Sequence, residues 1–458
     1  MSAIALAGVG YRYPGASAPS IEDIDLVVDA GRIVILEGPS GGGKTTLLRV
    51  LGGLAPAFHG GEAWGTASVA GLDLRTAKPS AVAQRVGILF QEPETQGVMT
   101  EPLRDVAFGL QCRGLPQERI LPAARAALNA VGCAHLVGRR LDALSSGERQ
   151  RVALAAVLAP EPDVLLLDEP TAQLDDDAAC ELVGQLRALA DRGLAIVLSE
   201  HRRDRVEHLA DEVLGVVGGR IGAPPAPAAY PAPIAVADGR TVLMLDDVTV
   251  ERDGRPVLQG ITCALAAGSA AALVGPNGSG KSTLLRAIAG LETPVAGTIA
   301  TPLRDLTTLP AERRVPELRL VPQDPGRTLL EATAEAEIRR GAELLGMPTG
   351  PADRAIADLG ITNLLPRHPR DLSVGERERV AIAAALAIDP AILLLDEPTR
   401  GMDAAHRAAL ARIIAERRAR GLAAVIATHD RAFARAAADA VWTVDAGRVD
   451  ARVLEPQP

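Results

Sequence analysis

Aromatic residues are scarce in this chain, at 2% of its 458 residues. Hydrophobic residues nevertheless make up 48% of the sequence, so the cores must be built from aliphatic side chains and alanine. The cysteines are few and far apart, and no two form a C-x-x-C pair: Cys112, Cys133, Cys180 and Cys263. That spacing argues against a disulfide framework, a zinc site and an iron–sulfur cluster, and it fits a reducing cytoplasm.

Long apolar runs and an excess of basic residues are missing as well. No run of about 18 apolar residues occurs, so we expect no transmembrane helix, and the N-terminus lacks the pattern of a signal peptide. The formal net charge is −9, which argues against a general nucleic-acid binder. The sequence therefore predicts a chain that does not span a membrane, although it could dock on one, and that has no nucleic-acid partner.

What the sequence does contain is an internal repeat. The segments 36–54 (LEGPSGGGKTTLLRVLGGL) and 273–291 (LVGPNGSGKSTLLRAIAGL) match, and so do 163–177 (DVLLLDEPTAQLDDD) and 391–405 (AILLLDEPTRGMDAA). A polar string also returns, first as LSSGERQRV and then as LSVGERERV. Because the order of the motifs is preserved, we infer a duplicated domain rather than a short-period solenoid.

The repeat divides the chain into two predicted domains, 1–221 and 240–458, joined by a linker at 222–239. The linker is rich in proline and alanine, a composition typical of an extended spacer. Within each copy, short apolar, β-branched runs alternate with helical stretches. This alternation predicts an α/β fold with a mainly parallel sheet.

Each copy carries a glycine-rich loop of the pattern G-x-x-x-x-G-K-[ST] between an apolar strand and a helix. Glycines let successive backbone N–H groups curl around phosphate oxygens, the lysine neutralises charge, and the hydroxyl can ligate Mg²⁺. A glycine-rich turn without a ligand is the alternative, but it leaves two matches in the same context unexplained. The predicted ATP-binding residues are Gly38, Pro39, Ser40, Gly41, Gly42, Gly43, Lys44, Thr45, Thr46, and Gly275, Pro276, Asn277, Gly278, Ser279, Gly280, Lys281, Ser282 and Thr283.

An Asp-Glu pair ends an apolar strand in each copy, where α/β proteins place ligands. We expect Asp168 and Asp396 to hold Mg²⁺, together with the Thr45 and Ser282 hydroxyls of the glycine-rich loops. The catalytic bases that orient or deprotonate the attacking water would be Glu169 and Glu397. The alternative is that the acidic pair only caps a helix.

A glutamine and a histidine also recur just past strands in both copies. Gln91 and Gln323 carry amides that can reach Mg²⁺ or the attacking water, and both belong to the predicted ATP and metal sites. His201 and His429 carry imidazoles that can reach a γ-phosphate, and both are predicted catalytic residues. A single histidine after a strand has no special meaning, but matching positions in two copies favour a function.

The order of these motifs resembles that of the ATP-binding-cassette (ABC) ATPase family over nearly the whole chain. The motifs are, in chain order, the glycine-rich loop, the glutamine, L-S-x-G-E, LLLDEPT and the histidine. The resemblance implies two P-loop NTPase domains, each with a mainly parallel sheet core, an antiparallel β part and a helical subdomain. It also implies ATP and Mg²⁺ as cofactors and ATP hydrolysis as the activity.

The resemblance implies a role for the recurring strings 144–152 and 372–380, here called the signature strings. In the family, each cassette completes the ATP site of the other, head to tail. Ser373 and Gly375 would cap ATP held by Lys44, in an intramolecular dimer of the two cassettes. By the same pairing, Ser145 and Gly147 would cap ATP held by Lys281, with a helix expected to begin near Glu148. A capped surface helix with solvated arginines is the alternative.

Some positions depart from the family pattern. Ser146 and Val374 replace the usual first glycine of the signature, and its glutamine is replaced by Glu148 and Glu376. Tyr13 stands where the family stacks an aromatic ring on adenine. The second copy has no aromatic residue there, so that Arg252 would stack its guanidinium plane, or the adenine would be held loosely.

Among ABC proteins, the segments FQEPETQ, EPTAQLD, SEHR and EPTRGMD look like those of energy-coupling factor (ECF) transporters, which import vitamins and cobalt or nickel. The resemblance implies a transmembrane scaffold protein and a small substrate-binding membrane protein as partners, and a peripheral location on the cytoplasmic face of the membrane. Two alternatives remain open at this stage: a soluble non-transport ABC ATPase acting on the ribosome or nucleic acid, and the ATPase of another ABC transporter class.

Overall fold

A computed structural model describes residues 2–91, 96–172, 174, 176–226, 229–231, 239–315 and 317–453. The contacts within the chain divide it into two compact units, Met1–Pro227 and Ala228–Pro458, which are described separately. Parts of the predicted linker, 227–228 and 232–238, lie outside the described residues.

The first unit contains ten strands and seven α-helices among the residues that the structure describes. The strands are β1 (Ser2–Arg12), β2 (Ile21–Asp29), β3 (Ile33–Glu37), β4 (Glu62–Val69), β5 (Leu72–Asp73), β6 (Val86–Leu89), β7 (Val164–Asp168), β8 (Ala195–Ser199), β9 (Glu212–Val217) and β10 (Arg220–Gly222). The helices are α1 (Lys44–Leu51), α2 (Pro79–Arg85), α3 (Pro102–Cys112), α4 (Gln117–Ala130), α5 (Ser146–Leu158), α6 (Asp176–Ala190) and α7 (Arg203–Val206).

The described part of the second unit repeats this order. Its strands are β11 (Thr241–Arg252), β12 (Arg255–Ala266), β13 (Ala270–Val274), β14 (Ala296–Thr301), β15 (Arg304–Asp305), β16 (Leu318–Val321), β17 (Ile392–Asp396), β18 (Ala423–Ala427), β19 (Ala440–Asp445) and β20 (Arg448–Val453). Its helices are α8 (Lys281–Ala289), α9 (Ala311–Arg314), α10 (Ala334–Leu344), α11 (Gly350–Asp358), α12 (Val374–Leu386), α13 (Ala404–Ala419) and α14 (Arg431–Ala437).

Each unit has one large and one small sheet. The large sheets run β6-β7-β8-β3-β9-β10 and β16-β17-β18-β13-β19-β20, and all neighbours are parallel except the last pair. The small sheets, β2-β1-β4-β5 and β12-β11-β14-β15, are antiparallel. The predicted α/β class, with a mainly parallel sheet, an antiparallel part and helices, is confirmed.

The central strands are apolar because both faces of the large sheet are covered. In β7, Val164 and Leu166 belong to the core shared with the small sheet and α1, whereas Leu165 and Leu167 belong to the core under the helical segment α3–α6. Parallel strands buried on both faces read as continuous apolar runs. The polar residues that follow such a strand therefore emerge at its carboxyl end.

None of the helices among the described residues combines the length and the apolar character needed to cross a bilayer.

Candidate nucleotide-binding sites

The glycine-rich loop of the first unit joins β3 to the N-terminus of α1. Lys44 is buried, and its Nζ donates to the carbonyl oxygens of Gly38 at 2.8 Å and Pro39 at 3.0 Å. Gly43 precedes the helix with φ +108°. A Cβ added to Gly42 would lie 2.5 Å from the carbonyl oxygen of Val216, so a side chain does not fit there. The loop thus curls around the lysine, with backbone N–H groups and a helix N-terminus available to an anion.

The second loop is built in the same way between β13 and α8. Lys281 Nζ donates to the carbonyl oxygens of Gly275 at 2.7 Å and Pro276 at 3.0 Å. Gly280 takes φ +111° before the helix begins. The geometry that the repeated pattern predicted therefore appears in both units.

Asp168 lies at the end of β7 and is bound by two hydroxyls. Thr45 Oγ1 donates to its Oδ2 at 2.8 Å, and Ser199 Oγ donates to its Oδ1 at 2.5 Å. Burial raises the pKa of Asp168, and these two hydrogen bonds oppose that rise. In the second unit, burial likewise raises the pKa of Asp396, against a hydrogen bond from Ser282.

These contacts bring together the oxygen atoms that a hard cation prefers. A loop hydroxyl and a strand-end carboxylate meet in both units, Thr45 with Asp168 and Ser282 with Asp396. Mg²⁺ is held by one or two carboxylates plus substrate phosphates rather than by an all-protein cage. The described residues contain no group of three or more His, Cys, Asp or Glu side chains that could hold a metal alone. The donor set therefore fits Mg²⁺ bound together with a nucleotide.

The glutamates after the two aspartates lie in strained backbone. Glu169 and Glu397 have φ +52° and +53°, in the left-handed region, which non-glycine residues adopt rarely. Their N–H groups donate across the sheet to the carbonyl oxygens of Ser199 at 3.1 Å and Ala427 at 2.8 Å. Such strain is commonly found at functional sites, and here both copies share it.

His201 lies directly against the first glutamate. Its Nε2 is 3.0 Å from Oε1 of Glu169, and both side chains are buried. Burial by itself would raise the pKa of Glu169. The charges of His201 and Lys44, together with hydrogen bonds from His201 and Gln91, outweigh that effect and hold the pKa below its usual range. Glu169 is therefore ionised at neutral pH, as a proton acceptor must be.

The second histidine makes a looser contact. His429 Nε2 is 3.4 Å from Oε1 of Glu397 and 2.9 Å from Oδ1 of Asn277, in the glycine-rich loop. The two side chains are 18% and 17% exposed, compared with 7% and 8% for His201 and Glu169. The same residues are thus brought together in both units, but the second set is more open.

The two glutamines differ in their surroundings. Gln91 follows β6 and reaches the carboxylate of Glu169 with a hydrogen bond. Gln323 follows β16 and is exposed. Part of the FQEPETQ segment, 92–95, lies outside the described residues, as do positions 173 and 175 of EPTAQLD.

The signature strings form the N-termini of α5 and α12. Ser145 and Ser373 are the N-cap residues, and each forms a reciprocal capping box with the glutamate three residues on. Glu148 Oε2 accepts from the Ser145 N–H at 2.8 Å, and Glu376 Oε2 accepts from the Ser373 N–H at 2.8 Å. The first helix begins at Ser146, two residues before the expected start. The S-x-x-E spacing that gives this cap was visible in the sequence.

The residues at the predicted adenine positions make different contacts in the two units. Tyr13 receives a hydrogen bond from Arg49 at 2.9 Å and packs edge-on against Tyr11, with ring centroids 4.8 Å apart. In the second unit, Arg252 donates to Glu292 at 2.7 Å, and Glu292 also pairs with Arg286 at 3.2 Å. The guanidinium of Arg252 is thus held by a carboxylate.

Sequence reasoning missed several residues that support these sites. Ser199 binds Asp168, and Glu200 is buried with its Oε2 accepting from Thr171 Oγ1 at 2.6 Å and its Oε1 accepting from the His201 N–H at 2.9 Å. Ser199 ends strand β8, which lies next to β7 in the sheet, and Glu200 follows it. Their position immediately before His201 was the signal that could have identified them.

Comparisons with known proteins give a consistent result. Residues 21–172 and 258–400 each match the family described as ABC transporter. A putative ABC transporter ATP-binding protein of Streptomyces coelicolor is 34% identical over 96% of this chain and 92% of its own length. A protein of the same description from Treponema denticola is 30% identical over 97% of this chain and 96% of its own length.

Solved structures are similar in fold over nearly the whole of this chain. An archaeal ribosome recycling factor, in complex with an archaeal ribosomal stalk protein, gives a TM-score of 0.69 over 97% of this chain and 89% of its own, at 20% identity. A structure described as RNase-L inhibitor gives 0.67 over 98% and 90%, at 21% identity. At this identity the likeness concerns the fold alone.

Proposed function

Because this chain belongs to the ABC transporter family of ATP-binding proteins, with two cassettes in tandem, we propose that it is the energy-coupling ATPase subunit of an ECF-type importer. Its partners would be a transmembrane scaffold protein and a small membrane protein that binds the cargo, a vitamin or a metal ion. It would work as a peripheral protein on the cytoplasmic face of the membrane. The two ATP sites would form head to tail between the cassettes.

The chemistry proposed for each site follows from the contacts around the glutamates. Lys44 and Lys281 neutralise the β- and γ-phosphates, and the loop N–H groups orient them. The Glu169 and Glu397 carboxylates take a proton from the water that attacks the γ-phosphorus as ADP leaves, while the neighbouring histidine positions each carboxylate. Mg²⁺, held by Thr45 with Asp168 and by Ser282 with Asp396, would neutralise charge on the phosphates.

The observation that carries the transport proposal is a matched pair of exposed apolar residues. Val98 and Leu330 are each the seventh residue after the glutamines Gln91 and Gln323, and they are 62% and 82% exposed. Apolar side chains this exposed at the same place in both cassettes favour a binding surface for another protein. We propose that each cassette has one such docking surface, around Val98 in the first and around Leu330 in the second, and that each receives a cytoplasmic helix of the scaffold protein.

The backbone beneath each exposed residue is held by the same device. Asp105, on α3, accepts from the N–H groups of Val98 at 2.7 Å and Met99 at 2.9 Å. Glu337, on α10, accepts from the N–H groups of Leu330 at 2.7 Å and the following residue at 2.8 Å. A carboxylate that binds two successive N–H groups fixes the segment, so little ordering is needed when a partner binds.

A cavity in the first unit adjoins this surface. It has a volume of about 300 Å³ and is lined by Gly97 and Met99, on either side of Val98, and by Arg149 of the signature string. A helix seated there would contact the segment after Gln91 and the signature helix together. Such a contact is suited to linking nucleotide state to a membrane partner.

The test is uptake by the assembled transporter. The neighbouring genes are searched for a multi-spanning membrane protein, which is co-expressed with the chain, reconstituted with it in liposomes, and assayed for ATP-driven uptake and for ATP hydrolysis. The variant Val98→Glu with Leu330→Glu should lose uptake and co-purification with the membrane partner, while the chain alone hydrolyses ATP at the parental rate.

The matched control is Val27→Glu with Leu303→Glu, whose side chains are 63% and 82% exposed elsewhere on the two cassettes. This control should transport normally. Uptake that survives the Val98 and Leu330 changes would exclude this docking surface. Co-sedimentation with ribosomes in place of membrane assembly would favour the non-transport alternative.

A further inference from the structure

Three side chains in the second unit connect the segment after Glu397 to the second signature string. Asp403 Oδ1 accepts from the backbone N–H of His406 at 2.9 Å and lies 2.7 Å from Nδ1 of the same ring. The other ring nitrogen, Nε2, lies 2.7 Å from Nη1 of Arg379 on α12. Arg379 Nε in turn donates to the carbonyl oxygen of Gly375 at 3.3 Å.

Backbone packing joins the same two segments. A Cβ added to Gly375 would lie 2.1 Å from the carbonyl oxygen of Gly401, in the turn between Glu397 and Asp403. Gly401 has φ +65°, and a Cβ added there would lie 3.0 Å from the backbone nitrogen of Gly375. The signature string and the turn are therefore in contact, and His406 with Arg379 adds a side-chain link between the signature helix and the helix that follows the turn.

The first unit holds its equivalent turn by other means. Ala178 occupies the position that corresponds to His406, and Arg151, which corresponds to Arg379, pairs with Glu181 at 3.5 Å. Arg205, on α7, donates to the carbonyl oxygens of Thr171 at 2.8 Å and Leu174 at 3.0 Å. The turn is thus tied to the segment behind His201, and to the signature string only through the hydrogen bond that Gln150 donates to the carbonyl oxygen of Pro170 and the packing of Gly147 near Leu174.

The link through His406 requires a neutral ring. An arginine can only donate, so Nε2 must accept from Arg379 and Nδ1 must carry the proton that is donated to Asp403. Protonation would place an Nε2–H against the guanidinium and abolish this hydrogen bond. The charged groups that contact the ring are Asp403, the N-cap residue of its own helix, and Arg379 on the signature helix, and the charge of Glu376 acts on Arg379.

We propose that neutral His406 is a positioning residue that holds the second signature string, through Arg379, against the turn that follows Glu397, and that its protonation releases the string. This inference rests on the proposed function, in which Ser373 and Gly375 complete the ATP site built on Lys44. His406 then acts on hydrolysis at the site of the other cassette, and acid slows that hydrolysis.

The experiment measures ATP hydrolysis at one site at a time. The Glu397→Gln background leaves turnover to the Lys44 site, and the Glu169→Gln background leaves it to the Lys281 site. In the first background, His406→Ala should lower kcat about fivefold at about pH 7.5, the loss of one hydrogen-bonded link. At acid pH, where a proton on Nε2 would remove the acceptor for Arg379, this ratio should approach one.

Two further variants separate positioning from folding. His406→Gln cannot be protonated, so its rate should lack the acid loss that the parent shows. His208→Ala removes an exposed histidine of the first unit and should keep the parental pH profile. A His406→Ala effect that is absent in both backgrounds, or that is equal at both pH values, would overturn the proposal. An effect confined to the Glu169→Gln background would keep the positioning role but overturn the head-to-tail arrangement.

Discussion

At the scale of single residues, the two glutamates after β7 and β17 carry the proposed chemistry. Glu169→Gln and Glu397→Gln should each leave ATP binding intact, because an amide keeps the shape of the side chain but cannot take a proton. The double variant should hydrolyse ATP about 100-fold more slowly than the parent and accumulate with ATP bound. Single-turnover assays with radiolabelled ATP measure both quantities, with the exposed Glu212→Gln as control. Parental rates in the double variant would remove both glutamates from the mechanism.

A second residue-scale feature is Glu378, which stands where the first copy has Gln150. Gln150 donates to the carbonyl oxygen of Pro170, whereas neither carboxyl oxygen of the fully buried Glu378 has a hydrogen-bond partner among the described residues. Burial, aided by the nearby Asp396, Asp324 and Glu397 and opposed by Arg400, raises the pKa of Glu378 well above its usual range. Between the pKa of Glu378 in the unfolded chain and its higher pKa in the folded chain, the folded chain therefore keeps a proton on Glu378 that the unfolded chain has released.

That proton makes stability depend on pH. When the pKa of a carboxyl group is higher in the folded chain than in the unfolded chain, the protein loses stability as pH rises. The loss begins near the pKa in the unfolded chain, about 4.3, and continues up to the pKa in the folded chain. Glu378→Gln should abolish this loss and make the second unit more stable by about 1–3 kcal/mol at about pH 8, the typical cost of an unsatisfied buried group. Chemical denaturation at several pH values measures it, with the exposed Glu416→Gln as control. Equal stability of parent and variant at every pH would contradict the assignment.

At the scale of elements, Arg314 closes the end of helix α8. Its side chain is 1% exposed, and Nη1 donates to the carbonyl oxygens of Ala287 at 2.9 Å and Ile288 at 2.6 Å. Nε and Nη2 donate to the carbonyl oxygens of Leu309 at 2.7 Å and Leu306 at 2.5 Å. One guanidinium thus satisfies terminal helix carbonyls, which have no intrahelical partner, together with the loop that passes over them.

Removing the Arg314 guanidinium should lower the stability of the second unit rather than change the proposed ATP hydrolysis. Arg314→Met would remove the hydrogen bonds to four carbonyl oxygens, of which Ala287 and Leu306 keep a backbone N–H donor, and should destabilise the second unit by about 2–4 kcal/mol. The neighbouring Arg313 is exposed, so Arg313→Met should change stability by less than about 0.5 kcal/mol. Urea unfolding with a probe in the second unit distinguishes the two. An Arg314→Met midpoint equal to that of Arg313→Met would show that water replaces these hydrogen bonds.

At the scale of the whole molecule, the proposed head-to-tail pairing predicts which changes act together. Ser373→Arg would place a bulky cation in the site built on Lys44, so adding Lys44→Ala should cause little further loss of ATPase activity. Adding Lys281→Ala instead should abolish activity, because both sites are then damaged. The mirror variant Ser145→Arg should show the reverse partners. Coupling of Ser373 to Lys281 would mean that each cassette closes on its own signature string.

The sequence by itself determined those features that arise from residues close together in the chain. The spacing of Gly38, Gly43 and Lys44 is enough to predict the loop around the lysine, because backbone freedom and helix start are local properties. Four apolar residues before Asp168 predict a buried parallel strand and an acid at its end. The S-x-x-E spacing at Ser145 and Ser373 predicts the capped helix. The repeat then predicts two copies of each feature, and the structure has them.

Only the tertiary structure decided how the two copies differ. Glu378 and Gln150 occupy the same place in nearly identical strings and are both buried, but Gln150 donates to the carbonyl oxygen of Pro170, whereas neither carboxyl oxygen of Glu378 has a partner among the described residues. The contact of His406 with Arg379 depends on how α13 packs against α12, and that of Arg314 on how a loop crosses the end of α8. These pairs lie 26 or 27 residues apart in the chain. No local pattern encodes such contacts, because they arise when separate layers pack together and each polar group takes the partner that the packing brings within reach.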